Sequence, residues 1–473
     1  MSFDRRRFLQ TAGAAAGALA LPAGNLLAAP ARTELVAGVF NHAIRPSGAA
    51  TAVWGFNGKL PGPLLRYKQG EIVDILARNE LPQPTTVHWH GLRVPNAMDG
   101  VPNVTQKAIE KGATFDYRFA AVDAGTYWYH PHQSSFEQVP RGLYGAFIVD
   151  EAKPLAVDRE EVWILSDFKL DDANAQVEDF GRIRHFATDG RLGNVVTLNG
   201  TPVGEHRNLT LRPGERVRLR LLNASSARAF LLEFQGHRPW IVTHDGQPVP
   251  PQPIPDGRLL LGAGQRTDLV IDGTAPGSEA FAIHDHRQSG GRVATIRYAG
   301  KPVRAKALGR PAAIAPNRLV EPNVARATDH YLVFQGGMKG APAIARVDGR
   351  SLQVDEIMDR HGLAWSMNYT AQHEHAMMHE PLFRLKKGEH VTLKMINETE
   401  YEHPMHLHGH FFRVLALNDV PSKQREWRDT VVLDPRGSCD IAFVADNPGE
   451  WMFHCHILDH AAGGMMGTVV VEG

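Results

Sequence analysis

The sequence predicts an all-β protein built as three domains, and three observations carry that prediction. Glycine and proline are abundant, 45 and 31 of 473 residues, as in chains of short strands and tight turns, and helical periodicity is scarce. One pattern, Gly-Glu-x-Val-x-(Ile/Leu)-x-x-x-Asn, occurs three times, at Gly70 to Asn79, Gly214 to Asn223 and Gly388 to Asn397. The copies lie 144 and 174 residues apart, too far for a solenoid repeat and suited to whole domains. Each copy alternates apolar and polar residues after a glycine turn, the mark of a half-buried strand. The expected domains are 32–152, 153–305 and 329–473, with a proline-bearing linker over 306–328.

Ahead of the first domain, Asp4-Arg5-Arg6-Arg7-Phe8-Leu9-Gln10 precedes an apolar run from Thr11 to Leu21, with small residues around Ala29-Pro30-Ala31. The run is shorter than the ~20 residues of a membrane-spanning helix. Basic start, apolar middle and small-residue end describe an export signal. The arginine pair before Phe8 and Leu9 resembles a twin-arginine signal, so the twin-arginine export machinery is an expected partner and the periplasm the expected location. Cleavage is expected after Ala31, since a cut after Ala29 would leave Pro30 at the new terminus, and residues 1–31 form the leader. No cysteine near the cut could carry a lipid anchor, and no stable membrane span is expected. Balanced charge, 51 Lys+Arg against 51 Asp+Glu, argues against a nucleic-acid partner. Two cysteines cannot form a disulfide scaffold.

The 24 histidines are unevenly placed. Nine residues past Asn79 comes His88, then His90; nine past Asn397 comes His406, then His408; the second copy has Leu232 and Phe234 there. Later, Gly125-Thr-Tyr-Trp-Tyr leads to His130-Pro131-His132, and Gly449-Glu-Trp-Met-Phe leads to His454-Cys455-His456. Domains one and three thus each supply two His-x-His pairs at equivalent places, and domain two supplies neither. Residues i and i+2 of a strand face one way, about 6.6 Å apart. Four such pairs would meet if the two domains pack about a pseudo-twofold axis, giving eight imidazoles, enough for three metal ions. Imidazole suits Cu, Zn, Fe and Ni, and divalent affinity peaks at copper.

Domain three carries more. It has Cys455 where domain one has Pro131, His403 where it has Thr85, and His460 where it has Phe136. With Met465, these form a His₂Cys set with a weak thioether, the ligands of a blue-copper electron-transfer site. On a strand Cys455 points opposite to His454 and His456, so one backbone stretch joins both sites over a distance on the order of 10 Å. Cys439 reads as a buried thiol, because a bridge to Cys455 would abolish that set. His284-Asp285-His286 in domain two has no partner pair and reads as structural or surface-exposed.

His88-Trp89-His90-Gly91, Trp128-Tyr129-His130-Pro131-His132, His403-Pro404-Met405-His406-Leu407-His408-Gly409 and His454-Cys455-His456-x-x-x-His460-x-x-x-Gly464-Met465 resemble the four copper motifs of the multicopper oxidases. The resemblance implies three cupredoxin-like Greek-key β-barrel domains and four coppers per chain. It implies a type 1 copper on His403, Cys455, His460 and axial Met465, and a type 2 copper on His88 and His406. The type 3 pair would take His90, His130, His132, His408, His454 and His456. A methionine in the axial place implies a lower potential than leucine or phenylalanine there. Members of this family take electrons one at a time from a small reducing substrate, here phenols, aromatic amines or Cu(I), and reduce O₂ to water with four. Electron entry falls to His460, the ligand nearest solvent in relatives, and transfer to Cys455. Asp99 matches a carboxylate that assists proton delivery. Many bacterial relatives carry Glu directly after the last type 1 histidine. Ala461 stands there, and Asp459 lies where strand alternation would aim it elsewhere, so a second proton route is unassigned. A monomer is expected. The alternative is an exported copper-sequestering protein with incidental turnover.

Between Met358 and His379 lie four Met (358, 367, 377, 378) and four His (361, 373, 375, 379). Thioethers favour Cu(I), so Met358, Met367, His373, His375, Met377, Met378 and His379 are candidates for a substrate-copper loop over the type 1 set; a loop whose methionines simply pack is the plainer reading.

Overall fold

The computed structural model describes residues 32–274, 279–287, 291–305, 308–339, 344–347, 349–373 and 380–473; the expected leader lies outside them. Among the described residues, three pairs of sheets follow one another along the chain, with a two-stranded ribbon, Ile344–Val347 and Arg350–Gln353, in the third domain. In the first pair, the strands Thr51–Phe56, Thr33–His42, Ile72–Asn79 and Thr114–Ala120 form one sheet. Leu65–Lys68, Gly145–Asp150, Gly125–His130 and His88–His90 form the other. One arrangement recurs in all three pairs. An opening strand runs parallel to the repeat strand: Thr33–His42 beside Ile72–Asn79, Arg159–Phe168 beside Arg216–Asn223, and Thr328–Gly336 beside His390–Asn397. In the facing sheet a short strand runs parallel to a closing one, as Leu65–Lys68 does to Gly145–Asp150 and Phe383–Lys386 to Met466–Glu472. This is the cupredoxin-like arrangement.

The repeated asparagine has the same work in each domain. Asn79 Nδ2 donates to the carbonyls of Gln83 and Ile109, Asn223 Nδ2 to Arg228 and Leu261, and Asn397 Nδ2 to Tyr401 and Asp434. Each Asn Oδ1 also accepts the N–H two residues on. The side chain ties off a buried turn whose carbonyls would otherwise lack donors. That turn leads into the strands His88–His90 and His403–Leu407.

Two of the repeat strands show the expected half-buried alternation. Val73, Ile75 and Ala77 point inward on one, and Val391, Leu393 and Met395 on the other. Arg216–Asn223 is buried along its whole length. Its polar face meets the first domain instead of water: Arg218 pairs with Glu151 and Asp268, and Arg220 donates to Thr126 Oγ1 (2.9 Å). One apolar cluster runs from Leu35 and Trp89 in the first domain to Trp451 and Val471 in the third, whereas the middle domain has its own. The two histidine-bearing domains therefore share a core. Residues 308–323 carry no helix or strand, and Asn317 Nδ2 donates to Ala124 O (2.8 Å) and Gln247 Oε1 (2.9 Å), fixing this stretch to domains one and two. Among the described residues no helix is long and apolar enough to cross a membrane.

Candidate metal centre

Strand pairing sets the histidine arms. His88 lies opposite His130 where His88–His90 pairs with Gly125–His130, and His406 lies opposite His454 where His403–Leu407 pairs with Gly449–Cys455. The two strand pairs then meet across the shared core. His88 stacks on His408 with ring centroids 3.9 Å apart and His90 on His406 at 3.7 Å. The first histidine of each pair thus covers the second of the other, as a twofold axis requires. His132 meets His454 at 5.0 Å and His130 meets His456 at 5.4 Å. All eight rings are buried.

Their nitrogens divide into two kinds. His88 Nδ1 donates to Asp99 O (2.7 Å), His130 Nδ1 to Pro131 O (3.0 Å), His406 Nδ1 to Asp429 O (2.9 Å) and His454 Nδ1 to Cys455 O (2.8 Å). A carbonyl only accepts, so these rings carry their hydrogen on Nδ1 and present a lone pair at Nε2. Nε2 of His88, His130, His132 and His406, Nδ1 of His90 and both nitrogens of His456 are buried without a hydrogen-bond partner. Nε2 of His408 and His454 face each other at 3.2 Å. Buried polar atoms are normally satisfied, and each stranded one costs about 1–3 kcal/mol. So many together, aimed at one space, fit metal ions of the kind imidazole binds. Three trios, His88/His406/His408, His88/His90/His130 and His132/His408/His454, each have donor atoms within 4.8 Å of one another.

A second set lies on the other side of Cys455. His403 Nδ1 and His460 Nδ1 are 3.1 Å apart, and Cys455 Sγ is 3.6 and 3.7 Å from them. His403 Nε2 donates to Thr399 Oγ1 (2.8 Å), whose own hydrogen goes to Asn397 Oδ1 (2.8 Å). His460 Nε2 donates to Thr188 O (2.5 Å). Both rings therefore turn a bare Nδ1 toward the sulfur. Burial pushes the thiol's pKa well up, so its thiolate form needs a cation beside it. Met465 is fully buried; its N–H donates to His460 O (2.9 Å) and its carbonyl accepts from Cys455 N–H (3.1 Å). Cys439 is a separate buried free thiol, opposite Met395 in the other sheet.

Burial lowers the pKa of His90, His130, His132, His403, His406, His408 and His456; neighbouring charge adds to this next in each but His406, where the Asp429 hydrogen bond and charge oppose it. Burial leads in His454 and His460 too, which fall to about 3. An unfolded histidine protonates near 6.5. Below about pH 6.5 the unfolded chain therefore binds protons that the folded chain refuses, and copper-free stability falls with pH by up to about 1.4 kcal/mol per histidine per unit. Urea unfolding of the copper-free protein is expected to show a steep loss between about pH 6.5 and 5. A flat copper-free profile would contradict this.

The remaining expected residues sit in varied surroundings, and strand alternation fails at one of them. His460 is wholly buried: Trp365 lies 4.5 Å from its ring and 5.1 Å from that of His403, and the middle domain's Thr188 carbonyl caps its outer nitrogen. Asp459 lies in the short helix Leu458–Ala462, so strand alternation does not aim it. Its Oδ2 accepts from Arg191 N–H (2.9 Å), and burial pushes its carboxyl up to about 6. Ala461 packs with Val101, Met452 and Met466, an apolar environment. Met367 is buried in the strand Trp365–Met367, and Met358, in the helix Val354–His361, packs on the same core. His361 and His373 have ring centroids 6.5 Å apart; His375, Met377, Met378 and His379 lie outside the described residues. His284 and His286 are 6.2 Å apart, and His286 pairs with Glu233 at the surface (2.6 Å).

Asp99 bridges the two strand pairs. Besides its carbonyl on His88, its Oδ2 accepts from His408 Nδ1 (2.8 Å). Asp429, Arg266, Thr188 and Trp365 also shape the centre, and none belongs to a repeated pattern that would have pointed to it.

Family models described as "Multicopper oxidase" match residues 39–154, 159–301 and 351–473. The chain is 28% identical to multicopper oxidase MmcO of Mycobacterium tuberculosis, over 88% of this chain and 83% of that one. It is 30% identical to Laccase-1 of Melanocarpus albomyces, over 86% and 73%. Among solved structures, a multi-copper oxidase from Pseudomonas thermotolerans superposes with a TM-score of 0.81 at 32% identity, covering 93% of this chain and 98% of that one.

Proposed function

Since this chain belongs to the multicopper oxidase family and is an oxidoreductase coupling copper-dependent oxidation to the reduction of O₂, we propose that it holds four coppers and works as an exported laccase-like oxidase on small reducing substrates. The carrying observation is the placement of Cys455 between His454 and His456, with bare nitrogens converging on both sides of one strand. His403, Cys455, His460 and Met465 would hold the type 1 copper; His88 and His406 the type 2; His90, His130, His132, His408, His454 and His456 the type 3 pair. Bound copper would supply one-electron redox chemistry and the site of oxygen reduction.

The protein's residues supply the rest. Trp365 and the Thr188 carbonyl exclude water from His403 and His460. Electron entry is assigned to the His460 Nε2–H···O=C contact with half-exposed Thr188, one hydrogen bond from the surface. The His454-Cys455-His456 backbone gives a short covalent path between the ligand sets. Asp99, hydrogen-bonded to a histidine from each strand pair, is placed to hold and pass protons. The leader, the periplasmic destination, the monomeric state and the domain limits given above belong to the same reading.

Oxygen uptake by the copper-loaded protein tests it, with a phenol, an aromatic amine and Cu(I) as donors. Turnover with at least one is expected; none with any donor would leave a copper-sequestering protein. Because Trp365 and Met367 are core residues, the Met/His segment is best probed by substitution. Replacing His361, His373, His375, Met377, Met378 and His379 together should lower Cu(I) turnover at least about tenfold and spare the phenol. Unchanged Cu(I) turnover would remove that segment from the substrate site.

A further inference from the structure

The middle domain offers no histidine to the centre, yet its Arg266 reaches it. The guanidinium is fully buried and touches all three domains. Nη1 and Nη2 donate to the two carboxylate oxygens of Asp429 (2.8 and 2.6 Å), and Nε donates to Thr126 O (3.2 Å). On its own domain the backbone N–H of Arg266 donates to Asp245 Oδ1 (3.0 Å), which also lies 3.6 Å from Nη1.

Asp429 is where this pair meets the histidines. Its carbonyl accepts from His406 Nδ1, and its Oδ1 lies 3.3 Å from His90 Nε2. Thr430 Oγ1 donates to the same Oδ1 (2.8 Å) and is itself 3.3 Å from His90 Nε2. A carboxylate accepts, so His90 carries its hydrogen on Nε2. This explains an asymmetry: His88, His130, His132 and His406 leave Nε2 bare, whereas His90 leaves Nδ1 bare. Its stacked mate His406 is held by the same residue from the other side. Gly91 shows how closely the pair is fitted. At φ +84° a Cβ there would lie 2.3 Å from Arg266 Nη2 and 2.5 Å from Asp429 Oδ2.

We propose that Arg266 is a positioning residue: by gripping Asp429 in a two-pronged hydrogen bond, it sets the ring orientation of His90 and His406, and so the copper affinity of the eight-histidine centre. The inference rests on the copper reading above. A planar guanidinium can fix both carboxylate oxygens, and a lysine ammonium cannot. Loss of the groups that orient metal-binding histidines typically weakens metal affinity about 10–100-fold.

Arg266→Met, Arg266→Lys and the charge-balanced pair Arg266→Met/Asp429→Asn would be compared with Arg228→Met/Asp167→Asn. That control removes another buried ion pair of the middle domain (2.9 Å) that none of the centre's histidines touches. The readouts are copper per chain at fixed free copper, the type 2 electron paramagnetic resonance signal, the near-ultraviolet band of paired coppers, and the blue absorption of the Cys455 site. The Arg266 variants are expected to keep the blue absorption while copper binds about 10–100-fold more weakly at the histidine centre and the type 2 signal changes, with Lys intermediate. The control should be less stable with unaltered spectra. Should Arg266→Met fail to fold, the charge-balanced pair decides. A wild-type signal and copper count in that pair, or an equal change in the control, overturns the proposal. If the unmodified, copper-loaded protein itself lacks both the type 2 signal and the near-ultraviolet band, the copper reading has failed instead.

Discussion

Cys455→Ser is expected to give a colourless protein that binds one copper fewer and consumes oxygen only at background rate. The sulfur is the one soft donor in a triangle whose other corners are two bare nitrogens 3.1 Å apart. A serine hydroxyl has nearly the same shape but does not ionise to a soft ligand, so the affinity and the charge-transfer colour of the thiolate vanish together. The eight-histidine centre should keep its copper and its near-ultraviolet band, because none of its lone pairs depends on the sulfur. The cost to the copper-free fold is small, about 1–3 kcal/mol for burying a hydroxyl at a fully enclosed position. Absorption, metal analysis and an oxygen electrode check all three parts. A serine variant that stays blue and active would refute the assignment of Cys455.

Asp99→Asn separates proton supply from electron supply. Asparagine can still offer an oxygen to His408 Nδ1, and the backbone carbonyl that receives His88 Nδ1 is untouched, so copper content should hold. The change removes a group that can take up and release a proton, which is worth about 10²–10⁴ in rate where proton transfer limits. Oxygen uptake should drop by that factor while the oxidised protein keeps its blue colour. During turnover the colour should stay bleached, since electrons arrive faster than oxygen is reduced. Wild-type uptake in Asp99→Asn would confine Asp99 to holding its two histidines. Ala461 sharpens this test: its methyl packs with Val101, Met452 and Met466 and supplies no acid at the position directly after His460.

What could be read from the sequence depended on periodicity and duplication. The His-x-His pairs follow the two-residue period of a strand, and their shared offset from Asn79 and Asn397 betrays a common turn, whose hydrogen bonds are the same in all three domains. The Met/His run was legible only as composition; Met367 turned out to be core because its strand pairs with Thr328–Gly336. Asp459 misled for a related reason: the strand ends at Cys455, and a helix turn resets the direction of every side chain after it.

By itself, then, the sequence determined which side chains come together and their local geometry: eight histidines in duplicated register, and a cysteine facing away from its neighbours. Those features depend on contacts only a few residues apart, where strand alternation and turn chemistry suffice. The tertiary structure alone decided how the donors are enclosed. The Thr188 carbonyl on His460, Trp365 over both sulfur-side histidines, and Arg266 with Asp429 behind His90 come from elements 38 to 339 residues away. Such partners meet through the packing of whole domains, and packing leaves no period in a chain.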